Sequence, residues 1–326
     1  MKSKHYGSTG RDVHIDVPLS NVAIAYRPEG FICDLIAPIV TVKKQSDGYY
    51  IWNIGDAYRT EDDKRAPATE ANVISRSVSS GTYFAKNYAL KDRIPYEDLK
   101  NADAGWVWSE RSSRAEMVKD KLMLNWEYRL ALQVTSGSNC GSYSAVASGW
   151  QDETAGNSDP VKDINTGINN VEDFTGQRPN SLVFGRYSWR LFREHAGVIA
   201  RIWGDTGQTA KAKMVNLEHV KALFEVERVL VGGTYRNTTD EGQTESLSKI
   251  WNDQCLTYYA PMKPRKDKPS FMYSFRWPAV RDLGMSAEVH QLPRAKAEEV
   301  EIGYYQDEKI TASALSFLIT GVGSSQ

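Results

Sequence analysis

Ser246 and Lys249, in the run SLSK, have the S-x-x-K spacing of a serine nucleophile assisted by lysine. That pattern is common by chance and neither an S-D-N nor a K-T-G companion accompanies it, so the run reads as the first turn of a helix. GDTGQTAK (204–211) has the small and polar residues of a phosphate loop. It lacks the Gly-Lys-Ser/Thr ending and a preceding hydrophobic strand, and reads as a flexible loop. DINTGINN (163–170) begins like a calcium loop but has no glutamate at the last ligand position. His5, His14, His195, His219 and His290 never fall at the HExxH spacing or near a cysteine pair, and read as solvated or singly hydrogen-bonded. Asn237 opens an N-x-T sequon, without consequence in a chain that lacks a secretory signal. APMKPRKDKPS gathers Lys263, Arg265, Lys266 and Lys268, yet prolines and an aspartate interrupt it, and it reads as a solvated loop before a single-strand binding platform. No catalytic, metal or cofactor constellation emerges, and the expectation is a protein that is not an enzyme.

The elements that would position such residues point elsewhere. The 326 residues suffice for one large domain or two ordinary ones. With 40 basic and 41 acidic residues the formal charge is −1, so no global field attracts nucleic acid or an anionic membrane, and self-association is permitted. Cys33, Cys140 and Cys255 are widely spaced and odd in number, which suits reduced thiols better than a disulfide framework or a zinc site. The start MKSKHYGSTGRDVH has no apolar signal-peptide core and no stretch approaches a bilayer span, so a reducing, soluble compartment without a membrane is expected.

Residues 1–20 read as an extended polar arm. A short strand, a helical turn and another strand follow in NVAIAYRPEGFICDLIAPIVTV, where Pro28 and Pro38 break any continuous helix. A hairpin comes next, with Tyr50, Trp52 and Ile54 alternating on the outgoing side and Phe84, Tyr88 and Leu90 on one face of the return. Between its strands, Arg59 to Thr69 holds no large apolar side chain. Ordering the roughly twenty residues of the whole excursion, 55–74, costs on the order of 20–40 kcal/mol in backbone entropy, which no core of their own offsets. The segment is therefore either disordered or held by another chain.

SERSSRAEMVKDKLMLNWEYRLALQVT, from Ser109 to Thr135, predicts a helix of about 27 residues and ~40 Å. Val118, Leu122, Trp126, Leu130 and Val134 form its apolar stripe, and Ser109, or Ser113 with Glu116, is a candidate cap. The stripe is too brief for sustained coiled-coil heptads. Beyond the Gly/Ser-rich stretch 136–160 the pattern turns α/β: a helix in VKDINTGINNVEDFTG, a strand in SLVFG, a helix through RYSWRLFREHAGVIARI, a helix in NLEHVKALFEV, and strands in RVLVGG and QCLTYYAP. The strand-like end, VEIGYYQDEKITASALSFLITGV, is expected to rejoin the sheet beside the long helix, making 150–288 an insertion.

Three runs carry a resemblance: LSNVAIAYRPEGFICDLIAPIVTVKKQSDGYYIW, RPNSLVFGRYSWRLFREH, and VKALFEVERVLVGGTYRNTTDEGQTESLSKIWNDQCLTYYAP. The third is the most specific, with Val229 to Gly232, Asn237, Glu241 to Thr244, Ile250 and Trp251 in family order. Over nearly its whole length the chain resembles the major capsid proteins of tailed bacteriophages, whose α+β fold is named after phage Hong Kong 97. The resemblance implies an N-terminal arm (1–42), an extended β-hairpin loop (43–92), a peripheral domain with a spine helix (93–149 and 289–326) and an axial domain (150–288). It further implies that Arg59, Glu61, Asp62, Asp63, Lys64 and Arg65 at the hairpin tip meet a neighbouring subunit. Val118, Leu122, Trp126, Leu130 and Val134 would pack the spine helix, and Arg236, Asn237, Asp240 and Glu241 would lie in an axial-domain loop.

The implied function is self-assembly into hexamers and pentamers of an icosahedral shell, formed in the bacterial host cytoplasm and found in the virion. Its implied partners are further copies, packaged double-stranded DNA held non-specifically, a portal, and scaffolding or decoration proteins. No cofactor is implied. A shell of the same fold enclosing cargo enzymes, a bacterial nanocompartment, is the alternative, and an S-x-x-K enzyme is the reading from another class. Some members of the family crosslink lysine to asparagine. Lys64 or Lys86 could be the donor, but no acceptor asparagine and catalytic glutamate can be matched, so the crosslink is not predicted.

Overall fold

The computed structural model describes residues 13–15, 30–52, 54–74, 77–101, 104–146, 148–152, 158–204, 214–264, 268–278 and 286–323. The chain enters through strand β1 (Val13–Ile15), helix α1 (Cys33–Ile36) and strand β2 (Ile39–Thr41). Strands β3 (Ser46–Trp52) and β4 (Val78–Phe84) make the hairpin, with the one-turn helix α2 (Ile54–Ala57) at its outer end. Strand β5 (Lys86–Pro95) and helix α3 (Tyr96–Asn101) lead into the long helix α4 (Ala104–Val134), and β6 (Ser142–Ala145) follows. Then come α5 (Pro160–Thr175), β7 (Ser181–Gly185), α6 (Arg186–Glu194), α7 (Ala196–Trp203), α8 (Leu217–Phe224) and β8 (Arg228–Gly232). A short hairpin of β9 (Tyr235–Asn237) and β10 (Leu247–Lys249) precedes β11 (Cys255–Tyr258), β12 (Met272–Trp277), β13 (Ser286–Leu292), β14 (Ala297–Ile310) and β15 (Ser316–Thr320).

Helix α4 has 31 residues, about 46 Å at 1.5 Å per residue. It starts five residues before the expected Ser109, so Ser109, Ser113 and Glu116 are interior positions and not caps. Gly105 lies in its first turn; the roughly 1 kcal/mol propensity penalty of one glycine is too small to delay a helix with so much buried surface. Val118, Leu122, Trp126, Leu130 and Val134 are all buried. The upper part of this stripe packs with Ile94, Val300, Ile302 and Tyr304, and the lower part with Ile36, Tyr258, Phe271 and Leu318. One helix thus covers parts of both sheets.

The first sheet runs β1-β13-β14-β12-β2, with β5 on the other edge of β14. β14 is the axis: β13 pairs with its first half and β12 with its second, while β5 runs from Ala297 to Gln306 along the opposite edge. Alternate β14 residues face α4, so Val300, Ile302 and Tyr304 are buried with Glu298, Gln306 and Glu308. Those polar groups are matched: Arg111 donates to Glu298 at 2.6 Å, Arg129 to Glu308 at 3.1 Å, and Arg276 Nε to Gln306 at 3.0 Å.

The second sheet runs β6-β15-β11-β7-β8. Leu182 and Phe184 of β7 face the helices with Ile164, Ile168, Phe192 and Phe224, whereas Val183 faces Trp126 and Leu130, which is why the centre of SLVFG is a continuous apolar run. Helix α5 starts where Asp159 accepts from the Lys162 amide ahead of Pro160 and stops at Gly176, φ 67°. The expected single helix through RYSWRLFREHAGVIARI is two, because His195 is extended and its Nδ1 caps α7 by accepting from the Gly197 amide. The division expected along the chain is interleaved here. β12, within 150–288, belongs to the first sheet, and β15, within 289–326, belongs to the second.

Glu127 of α4 has no exposed surface. Its carboxylate accepts from the amides of Ile32 and Cys33, the latter at 2.8 Å, and from the Trp251 indole at 2.5 Å. It therefore caps α1 and ties it to the segment before β11. Burial pushes the Glu127 carboxyl above the ordinary carboxylate range; hydrogen bonds from Trp251, Cys33 and Ile32 oppose that shift without cancelling it.

Two outcomes are expected. Trp126→Ala lowers stability by about 3–5 kcal/mol in denaturant titrations; an unchanged midpoint would mean the stripe is not packed. Because the folded-state value of Glu127 lies above the unfolded one, its contribution is fully present below the ordinary pKa of 4.5 and is lost as pH rises through the raised value. The wild-type minus Glu127→Gln difference in unfolding free energy should thus fall from pH 4.5 towards neutrality, and a rising difference would contradict the assignment.

Candidate functional site

The residues singled out for chemistry have other work. Ser246 and Lys249 lie at and in strand β10, not in a helix. Positions three apart on a strand face opposite ways, and each has its own partner: the Ser246 amide donates to Asn237 Oδ1 at 3.2 Å, while Lys249 Nζ is 5.4 Å from the Tyr187 ring. DINTGINN is the middle of α5, where Asp163 accepts from the Trp150 indole at 2.9 Å. His195 and His219 cap helices, and His290 Nε2 lies 3.6 Å from Glu288 and 3.7 Å from Glu301. Asp205 to Lys211 of GDTGQTAK, His5, and Arg265 and Lys266 lie outside the described residues. The three thiols are buried, and desolvation raises all three. Among the described residues no three His, Cys, Asp or Glu side chains are placed to hold a metal, and no helix is long and apolar enough to cross a membrane.

What projects from the fold is a pair of hairpins. The first is rooted on the first sheet: Tyr83 stacks on Phe275 at 4.7 Å, Tyr49 lies 5.3 Å from the same ring, and the Phe84 amide donates to Asp307 at 2.9 Å. Its return side is two strands, not the single one expected. Ala85 breaks it by donating to Gln45 O, leaving Phe84 in β4 while Tyr88 and Leu90 continue in β5 against β14. Ile54, expected on the outgoing strand, is in α2.

The outer segment has no core. Every residue from Arg59 to Ile74 is exposed, including Arg59, Glu61, Asp62, Asp63, Lys64 and Arg65. Its bonds are local: Arg59 pairs with Asp56 at 3.4 Å, Asp62 accepts from the Lys64 amide at 3.1 Å, Asn72 donates to Asp62 O at 2.8 Å, and Arg65 Nε donates to Thr69 O. Val73 is 95% exposed and Ile74 72%. Just inside this tip Tyr58 reaches back to the chain's own α5, donating to Gly176 O at 3.0 Å. A cleft of about 780 Å³, lined by Ile51, Tyr58, Val78 and Phe174 among others, separates hairpin and helix end.

The second hairpin, β9–β10, is rooted on the long helix. Arg236 stacks 4.1 Å over Tyr128, and Trp251 just beyond β10 reaches Glu127. Asn237 Oδ1 shapes the turn by accepting from the Thr239 amide and hydroxyl and the Ser246 amide. Gly242, φ 87°, allows the reversal, and Asp240, Glu241 and Glu245 are exposed. Sequence reasoning missed Glu127 and the Tyr58 contact. Glu127 was detectable, since Leu130 and Ala131, three and four residues on, share its buried face.

No family model matches the chain. It is 25% identical to the major capsid protein of Pseudomonas phage JBD67 over 304 residues, covering 93% of this chain and 95% of the relative. It is 26% identical to the major capsid protein of Burkholderia phage BcepMu, covering 80% and 83%. The crystal structure of a phage-related protein from Bordetella bronchiseptica RB50 superposes with a TM-score of 0.75 at 21% identity, covering 96% of this chain and 99% of that one. The capsid structure of cyanophage P-SCSP1u has a TM-score of 0.54 at 8% identity over 91% and 89%. The chain is thus similar along almost its whole length to phage major capsid proteins, and its mixed helix-and-sheet fold is one that phage capsid subunits adopt.

A Cβ at position 176 would lie 2.5 Å from the Tyr58 ring, and φ there is left-handed. Gly176→Ala should cost about 1–3 kcal/mol and raise amide hydrogen exchange at residues 54–58. Unaltered exchange would mean that Tyr58 is not seated on the helix end.

Proposed function

We propose that this chain is a phage major capsid protein, copies of which close into hexamers and pentamers of an icosahedral shell around double-stranded DNA. The observation that carries the reading is its co-linear similarity, nearly end to end, to two proteins named as major capsid proteins. In this reading residues 1–42 are the arm, 43–92 the extended loop, 93–149 with 289–326 the peripheral domain built on α4, and 150–288 the axial domain. The exposed stretch from Arg59 to Ile74 lies across a neighbouring copy, which supplies the surface the chain itself does not. Arg59, Glu61, Asp62, Asp63, Lys64 and Arg65 set register at that contact and supply little of its energy, as exposed ion pairs do.

The contact is heterologous, each copy giving its hairpin to the next, and such contacts generate rings when the rotation closes. Many modest interfaces summed over a shell become strong through effective concentration, while weak single steps allow misplaced copies to leave. DNA is held without sequence readout, consistent with a chain of formal charge −1. A portal, and scaffolding and decoration proteins, are the further partners of such a shell. Assembly takes place in the bacterial cytoplasm.

Electron microscopy of the purified chain tests this directly: closed particles of uniform diameter are expected, and a monodisperse monomer at high concentration would refute it. Deleting residues 57–80 should abolish closed particles. Normal shells from that deletion would remove the hairpin from the mechanism.

A further inference from the structure

The tip of the β9–β10 hairpin is acidic, and a cleft at the far end of the second sheet is flanked by lysines. β7 and β8 are parallel, with Ser181 beside Arg228 at one end and Gly185 beside Gly232 at the other, about 13 Å away. The β9–β10 hairpin begins three residues past Gly232, and its exposed tip holds Asp240, Glu241 and Glu245 with no basic residue from Asn237 to Ser246. None of these three carboxylates has a cation partner among the described residues. At the Ser181 end is a cleft of about 540 Å³ flanked by Lys263 and Lys268, both exposed. Glu225 and Glu227 also line it; Glu225 is paired with Arg178 at 3.2 Å, and Glu227, which accepts from the neutral Asn180 amide at 3.2 Å, keeps its charge, so the described lining is net positive by one. Lys263 and Lys268 have no carboxylate partner among the described residues.

Each charged surface also bears one exposed apolar side chain: Leu247, 68% exposed, beside the acidic tip, and Met262, 64% exposed, beside the lysines. We infer that the acidic β9–β10 tip of one copy docks on the Lys263 and Lys268 cleft of the next copy, with Leu247 against Met262. The two surfaces leave the sheet at opposite ends, so they are suited to meet head to tail between copies. Two acidic tips meeting each other would repel, which disfavours a symmetric pairing of tips. The inference rests on the coat reading and adds a second contact between neighbours, independent of the β3–β4 hairpin.

Charge reversal tests it in full-length chain. A tip variant (Asp240→Lys, Glu241→Lys and Glu245→Lys) and a cleft variant (Lys263→Glu and Lys268→Glu) should each slow closed-particle formation at least about tenfold by light scattering at low salt. The chain carrying all five substitutions restores the attraction with its sign inverted and should assemble near the wild-type rate, which also shows that the substituted surfaces fold. One-sided variants that assemble like wild type would overturn the pairing, as would a five-substitution chain no better than either. A wild-type chain that forms no particles would instead count against the coat reading.

Discussion

A carboxylate with no exposed surface in the middle of a long helix is the constraint on which much of this structure turns. Removing a charge from water costs several kcal/mol even after relaxation, so Glu127 is tolerable only while its donors are in place. Those donors come from Ile32 and Cys33, nearly a hundred residues earlier, and from Trp251, more than a hundred later. The amides at the start of α1 would otherwise lack partners, so the carboxylate and the helix end satisfy each other. Trp251 has a second role: its ring lies against Gly232, where a Cβ would sit 2.3 Å away. One turn of α4 thereby fixes the start of α1, the end of β8 and, through Tyr128 and Arg236, the root of the β9–β10 hairpin.

β14 does the same for the other hairpin. Its polar residues are buried because α4 and β12 bring guanidinium groups to them; Arg129 also stacks 3.8 Å over Tyr88, and Arg276 lies 5.0 Å from the Tyr304 ring. On the far face Glu299 accepts from Lys91 and Arg93, whose hydrogen bonds pull its carboxyl below the usual range. Asp307, on that face, takes the Phe84 amide and so sets the base of the β3–β4 hairpin against the central strand. The β3–β4 hairpin is fixed at the root by the buried stack of Tyr83 on Phe275 and the β9–β10 hairpin by the buried Trp251–Glu127 hydrogen bond, and both are left without a core at the tip.

Legibility in the sequence follows from how local each determinant is. The α4 stripe was visible because residues four apart share a face, and SLVFG because the centre of a strand covered on both sides must be a continuous apolar run. SLSK was misread as helical because its strand exists only through β9, joined by a nine-residue turn that Asn237 organises. The break at Ala85 depends on Gln45, forty residues away, and the burial of Glu298 and Glu308 depends on arginines of another element. The sheet membership of β12 and β15 was not legible for the same reason, since strands are sorted by pairing partners that no window of sequence contains. The tip at Arg59 to Thr69 was legible as a segment without a core, and its inner neighbour Tyr58 was not, because the Gly176 carbonyl that receives it is formed only when α5 ends.

On the coat reading proposed above, the chain faces two opposed requirements: subunits with one shape, and contacts weak enough to be undone. The first is met here by burying charge. Each buried carboxylate or guanidinium is stable only with its partners in a single arrangement, so the root of the β9–β10 hairpin, tied through Trp251 to Glu127, has one orientation. The second is met by keeping the tips polar, because exposed ion pairs contribute about 0–1 kcal/mol each and are screened by salt. The same chemistry, charge paired with charge, therefore does opposite things on the two sides of the water boundary. Inside, it specifies geometry at the expense of tolerance to substitution; outside, on the coat reading, it would let a copy sample its neighbours and commit only when several contacts form together.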